Sequence, residues 1–303
     1  MNITRFFKIG HKYFSGQAQL AEKVGAQRLR RGRPAGKIPE LEPRYRPERL
    51  LESTKGSRVY LGTDRESGRP VVIKRALNYH FDFLIRWEGD LLERLRHPNL
   101  VGLIAGRSRY LVEEFLPGVL LEKMRLTPLE TLVVGSQLVN ALRYLHRQDI
   151  VLRDLKTNNI MVGPDGTVKL FDLGLARDLG RRRDLCEGDY FIGTPEFAAP
   201  ELIRAGAGYA LPSADFFALG ITLYKALTRR FPLEREIVIN NGERVAVSWP
   251  ECGHPLNWQN LRDVPPFLHS LLYKLLEPEP SERLADPDLV QREILGGLVE
   301  AAG

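Results

Sequence analysis

Cysteine is scarce: the 303 residues contain two, Cys186 and Cys252. Two thiols cannot build a disulfide framework, which excludes a stapled secreted scaffold and favours a reducing compartment, the cytoplasm. Long apolar runs are missing as well. A membrane-spanning helix needs about 18 or more consecutive apolar residues, and no stretch reaches that, so no transmembrane segment is expected. There is no internal repeat and no low-complexity tract, which excludes repeat architectures. Acid is scarce at the start of the chain. Residues 1–49 hold twelve Lys/Arg against four Glu, a local +8, although the whole chain carries only +6. The remainder is therefore about −2, which argues against a uniformly basic nucleic-acid-binding domain. The basic cluster Arg28, Arg30, Arg31, Arg33 and Lys37 suits an acidic partner or an anionic surface, and a solvated arm is the simpler reading. A transit peptide shares the paucity of acids but would be richer in serine.

What is present is ordinary globular composition, 43% hydrophobic and 27% charged, in a length that suits two core-forming lobes and an extension. Pro34, Pro39, Pro43 and Pro47 read as an extended linker, because proline stops helices and restricts the residue before it. The folded body is expected to begin near Arg49, after a basic N-terminal extension over residues 1–48. Val59-Tyr60-Leu61 and Val71-Val72-Ile73 are β-rich runs, with a turn over Thr63–Pro70. Phe81–Leu95 carries apolar residues at helical spacing, and Tyr110–Phe115 is a further strand. Helical patterns then take over at Leu129–Arg147, Ala214–Leu227 and Phe267–Leu276. Glu234–Val264, with Trp249 and Trp258, reads as irregular.

Chemistry concentrates in three segments: Leu152-Arg153-Asp154-Leu155-Lys156-Thr157-Asn158-Asn159; Asp172-Leu173-Gly174; and Gly193-Thr194-Pro195-Glu196-Phe197-Ala198-Ala199-Pro200-Glu201. In this order they resemble the catalytic loop, the metal-binding Asp-Phe-Gly and the Ala-Pro-Glu segment of eukaryotic-type (Hanks-type) Ser/Thr protein kinases. The resemblance covers about residues 49–290. It implies an α+β, bilobal protein-kinase-like fold: a small β-rich N-lobe with one long helix over residues 49–116, and a larger, mainly helical C-lobe over residues 117–303.

The resemblance also implies roles. Asp154 would orient a substrate hydroxyl and accept its proton, and Asn159 and Asp172 would hold Mg²⁺, a hard cation that prefers oxygen. Lys156 resembles the lysine that Ser/Thr kinases place near the transferred phosphoryl group. Val71-Val72-Ile73-Lys74 resembles the family's Val-Ala-Ile-Lys strand, so Lys74 would touch the phosphates of ATP and Glu88 would pair with it. Asp215 resembles the aspartate that anchors the catalytic loop, and Arg283 the partner of Glu201. Ser57, Val59, Val72, Lys74, Glu114, Leu116 and Met161 would line the nucleotide site.

Departures from the family pattern stand out. The three loop glycines fall on Glu52, Thr54 and Ser57, leaving only Gly56 at the tip, so weaker nucleotide binding is expected. Leu152 and Leu173 replace His and Phe. Together with Leu92 they are expected in the family's apolar stack. Val72 replaces a small residue. If Glu114-Phe115-Leu116 is the hinge, Glu113 falls at the gatekeeper position, where a buried carboxylate needs a partner. Either it bonds locally or the hinge register is shifted by one. Arg153 would receive an activating phosphate, and Asp189, beside Tyr190, is the candidate stand-in. The expected function is ATP-dependent transfer of the γ-phosphoryl group to Ser/Thr hydroxyls of protein substrates. The alternative is a nucleotide-binding pseudokinase or scaffold with weak or no transfer activity, and a small-molecule kinase is a third reading.

Overall fold

The computed structural model describes residues 33–34, 38, 41, 43–181, 191–205, 211–232, 236–240, 243–248, 256 and 258–302. The described chain divides into two compact units. One holds the described residues up to Val119 together with Met161–Gly174; the other holds Leu120–Ile160 and the described residues from Leu175 onward.

The first unit is built on an antiparallel sheet of β1 (Arg33–Pro34), β2 (Tyr45–Ser53), β3 (Ser57–Asp64), β4 (Pro70–Ala76), β5 (Leu103–Arg107) and β6 (Tyr110–Glu114), in the order β1-β2-β3-β4-β6-β5. Period-two alternation gives it two unlike faces. Tyr60, Ile73, Tyr110 and Val112 point to one, where they pack with Tyr45 and the buried Ile38. Leu111 points to the other, where it meets Ala76 and Ile85. Ile85 belongs to α1 (Tyr79–Arg94), which begins where the Asn78 side chain accepts the Phe81 amide. That cap satisfies an otherwise orphaned donor and sets the start of the helix two residues before Phe81.

Two expectations change here. The first long strand begins at Tyr45, not near Arg49, and Ile38 and Leu41 contribute to the core. A sheet face left bare would expose Tyr60, Ile73 and Val112, and Ile38 and Leu41 pack against it. Pro47 is tolerated inside β2 because the ladder is irregular there, between Pro47 and Arg49. β7 (Val168–Leu170) is tied to the same unit by a parallel bridge from Leu100 to Leu170, and the Asn99 side chain donates to the Val168 carbonyl at 2.7 Å.

The second unit is mainly helical. α2 (Pro128–His146) opens with a reciprocal capping box between Thr127 and Glu130. α3 (Pro200–Ala205) is short, and α4 (Pro212–Thr228) is buried on nearly every side, as its mostly apolar sequence requires. α5 (Trp258–Leu261), α6 (Pro266–Leu275) and α7 (Pro287–Ala302) follow. Within Glu234–Val264, read as irregular, Glu236–Asn240 and Glu243–Ser248 pair as an antiparallel hairpin. The α+β division into a strand-rich part with one long helix and a larger helical part is borne out.

Arg283 and Glu201 form a bidentate ion pair at 2.6 and 2.9 Å, with both side chains buried, and Arg283 also donates to the carbonyls of Ser213, Glu277 and Pro278. Removing one member of such a pair strands the other charge. Glu201→Ala is expected to destabilise the protein by about 3–5 kcal/mol, whereas Glu201→Leu combined with Arg283→Met costs less. Urea unfolding of the three proteins checks this.

Candidate active site

The candidate residues fall into two groups, one in each unit. In the strand-rich unit, register decides which side chains share a face. Lys74 lies opposite Val59 on one side and Leu111 on the other, Val72 lies opposite Glu113, and Glu52 lies opposite Val59. Glu52, Val59, Val72, Lys74 and Glu113 therefore point to the face that α1 covers. The Lys74 ammonium donates to Glu88 Oε2 at 2.6 Å and to Asp172 Oδ1 at 2.5 Å. Glu88 is 1% exposed, and its other oxygen accepts the Leu173 amide at 2.9 Å. The strand, the helix and the Asp172-Leu173-Gly174 segment thus meet on one ion pair. Burial works against the Lys74 charge, but Asp172 and Glu88 outweigh it and hold the ammonium well above its ordinary range. Asp172 has a left-handed backbone, φ 67°, and its side chain stays 41% exposed, so its carboxylate is accessible to a hard cation.

The degenerate loop between β2 and β3 closes on itself. Thr54 Oγ1 accepts the amides of Gly56 at 3.2 Å and Ser57 at 2.9 Å. Those are the kind of donors a glycine-rich loop turns toward phosphate; here a hydroxyl already occupies them. Gly56 packs so tightly on Phe81 of α1 that a Cβ would fall 1.9 Å from the ring. Glycine is required there by contact, since an aromatic residue at that position would collide with Phe81. Val59, Val72 and Leu116 are half-buried, and Met161 is buried. The Glu114 carboxylate turns to the Gly102 amide at 2.8 Å and to Lys169 at 2.5 Å, which engages its side chain. Leu92 and Leu173 are buried in this unit and Leu152 in the other.

Glu113 Oε1 does not make the local hydrogen bond that one of the two alternatives called for. It sits opposite Val72 and is buried, yet its Oε1 has no hydrogen-bond partner. Burial, followed by the nearby Glu88 charge, pushes its carboxyl up to about 8, so near neutrality it carries a proton.

In the helical unit, Asp215 at the start of α4 accepts the amides of Leu152 at 2.8 Å and Arg153 at 2.9 Å, and it bonds His146 Nε2 at 2.8 Å. Arg153 adopts φ 65° under this constraint. Asp154 Oδ2 then receives the Lys156 ammonium at 2.6 Å, and Lys156 also reaches Thr194 Oγ1 at 2.8 Å. Asn159 Nδ2 donates to the Asp154 carbonyl at 3.2 Å, so its Oδ1 takes no part in that bond. Asp154 Oδ1 is buried and has no hydrogen-bond partner. Sequence reasoning missed three supports. His146 closes α2 onto Asp215. Glu122 receives the Thr157 hydroxyl and the Lys225 ammonium, the latter at 2.8 Å. Lys225 lies over the rings of Phe197 and Phe231 at 5.2 and 4.5 Å. Asp189, Tyr190, Cys186, Trp249 and the basic cluster from Arg28 to Arg31 lie outside the described residues, as does the Trp258 side chain.

The raised Glu113 value has a thermodynamic consequence. Between its ordinary value of 4.5 and about 8, the unfolded chain has lost this proton and the folded chain keeps it. The Glu113 contribution to stability is therefore complete below about 4.5 and is lost as pH rises through about 8, by at most about 1.4 kcal/mol per pH unit. Glu113→Gln is expected to remove this slope. Unfolding midpoints of parent and variant between pH 5 and 9 should diverge; parallel curves would contradict the assignment.

The model of the protein kinase domain matches residues 45–295. CBL-interacting protein kinase 25 of Oryza sativa subsp. japonica is 30% identical over 82% of this chain and 50% of its own length. CBL-interacting serine/threonine-protein kinase 19 of Arabidopsis thaliana is 28% identical over 82% of this chain and 52% of its own. The serine/threonine-protein kinase PrkC of Bacillus subtilis (strain 168) is 27% identical over 83% and 40%. The chain spans about half the length, or less, of these relatives. With the match extending over most of its residues, the chain belongs to the protein kinase domain family.

Proposed function

We propose that this protein is an ATP-dependent protein kinase that transfers the γ-phosphoryl group to Ser/Thr hydroxyls of protein substrates. The observation that carries the reading is Asp154. One of its oxygens is neutralised by Lys156, while the other is buried and without a hydrogen-bond partner. An acceptor held in that state is suited to a substrate hydroxyl. Lys156, bonded to Thr194, sits where the family's Ser/Thr members carry a lysine, and two of the three relatives are named as serine/threonine-protein kinases.

Lys74 is the group for the nucleotide phosphates, oriented by Glu88. Asp172 and Asn159 are the group for Mg²⁺, which when bound neutralises charge building on the phosphate oxygens. Each donor by its own chemistry suits that cation, a carboxylate that is 41% exposed in one unit and an amide oxygen in the other, because Mg²⁺ retains waters and phosphate oxygens alongside one or two protein ligands. Val59, Val72, Leu116 and Met161 would flank the base, with Ser57 at the loop. Among the described residues no helix is long and apolar enough to cross a membrane, and a cytoplasmic location accords with the two cysteines. The basic extension is a contact for an acidic partner or an anionic surface. The Thr54-capped loop favours weak nucleotide binding, which is also the strongest support for the pseudokinase alternative.

Incubation with labelled ATP, Mg²⁺ and a generic basic protein is expected to label Ser and Thr. Asp154→Asn and Asp172→Ala should abolish labelling while circular dichroism stays that of the parent. Retained labelling in either variant, or none in the parent, would overturn the reading. Thr54→Ala removes the hydroxyl acceptor and frees two donors, each worth about 0.5–1.5 kcal/mol net, and is expected to lower the Michaelis constant for ATP.

A further inference from the structure

Lys74 has more acid around it than it can neutralise. Glu88 and Asp172 hold its ammonium directly. Glu113 is the third. It lies opposite Val72, while Lys74 lies opposite Leu111, two residues earlier on the same strand. Lys74 and Glu113 are therefore diagonal neighbours on one face, about 7–8 Å apart at their backbones, within reach of long side chains. Glu113 is 6% exposed, with a buried oxygen that has no hydrogen-bond partner. The charged groups that act on it are Glu88 on α1, Lys74 on β4, Asp172 beyond β7 and Glu114 on its own strand. Lys74 is the one cation among them. Each of the other two carboxylates around Lys74 has a further engagement: Glu88 takes the Leu173 amide, and Asp172 is exposed toward solvent. Glu113 has no comparable outlet.

We propose that Glu113 is a positioning residue for Lys74, a third carboxyl that competes with the nucleotide's phosphates for the ammonium whenever it is ionised. This rests on Lys74 being the phosphate contact. A neutral Glu113 leaves Lys74 to the nucleotide. An ionised Glu113 holds the ammonium back and lowers affinity for ATP without touching the transferred group. Its proton leaves near pH 8, so the competition switches on across that pH.

The test uses the full chain and Glu113→Gln, which keeps shape and removes charge, with Glu113→Met as a second uncharged variant of similar length. The first readout needs no nucleotide: the acetylation rate of Lys74 by a small N-hydroxysuccinimide ester at pH 9, followed by peptide mass spectrometry with the other lysines as internal reference. Loss of a nearby negative charge makes the amine easier to deprotonate, so Lys74 in the variants should react about 3- to 10-fold faster. The second readout is the pH profile of the Michaelis constant for ATP. In the parent it should rise between pH 7 and 9, and in both variants this rise should be absent, with kcat moving less than the Michaelis constant. Equal acetylation rates in folded parent and variants, or profiles that rise in parallel, overturn the proposal. If acetylation responds but the parent neither binds ATP nor transfers phosphate, the coupling stands and the proposed function falls. If the parent transfers phosphate and acetylation does not respond, the function stands and this inference falls.

Discussion

An ammonium cannot be buried without a counter-charge, and the strand-rich unit is organised around meeting that requirement for Lys74. Glu88 supplies the charge only if α1 presents it toward the sheet. That fixes the helical phase: the Asn78 cap sets the start, Ile85, Leu91 and Leu92 form the buried stripe, and Glu88 falls on the same side. The second oxygen of Glu88 then takes the Leu173 amide, which brings Asp172 to the same ammonium. One ion pair thus sets the position of a strand, a helix and a loop distant in sequence.

The helical unit solves a parallel problem with buried carboxylates that accept rather than neutralise. Asp215 satisfies two backbone amides and His146, and those bonds hold Arg153 in a left-handed conformation that a non-glycine residue rarely adopts unaided. The strain is local, and its product is the placement of Asp154. Glu201, by contrast, neutralises Arg283 and tethers the end of the Gly193–Glu201 segment to the region before α7. In both units the groups proposed to carry chemistry are held by a shell of buried charge on regular elements, the arrangement that keeps a site preorganised.

Much of this was legible because the signals were local or strongly spaced. Helical periodicity placed α1, α2, α4 and α6 to within two residues, and the resemblance anticipated the pairing of Lys74 with Glu88 and of Arg283 with Glu201. What was not legible depended on tertiary need. Ile38 and Leu41 sit among prolines and read as linker, yet a bare sheet face recruits them. β2 carries Pro47 and mixes charged with apolar residues, so its alternation is too weak to announce a strand. Thr54 looks like a small stand-in for glycine, and only the backbone path shows its hydroxyl turned onto the amides of Gly56 and Ser57. Glu113 posed a dilemma from sequence, to bond locally or to be misregistered. The resolution, a buried acid that keeps its proton, requires knowing which charges surround it.

The charge balance around Lys74 bears on what the site can accept. With Glu113 neutral, two carboxylates still face one ammonium, leaving an excess of negative charge in a poorly solvated place. A free nucleotide triphosphate would add several more negative charges and find its loop donors already taken by Thr54. A triphosphate arriving with a divalent cation changes the sign of the problem, because the cation answers both the surplus on Asp172 and the phosphates. On the proposed reading, Asp172, which is 41% exposed, is the residue that would hold the cation, and Lys74 has Glu88 as its second partner. If the proposed function holds, electrostatics in this unit would favour nucleotide and metal together over either alone. The acid at position 113 sharpens that preference, since any charge it acquires must be offset by the same cation.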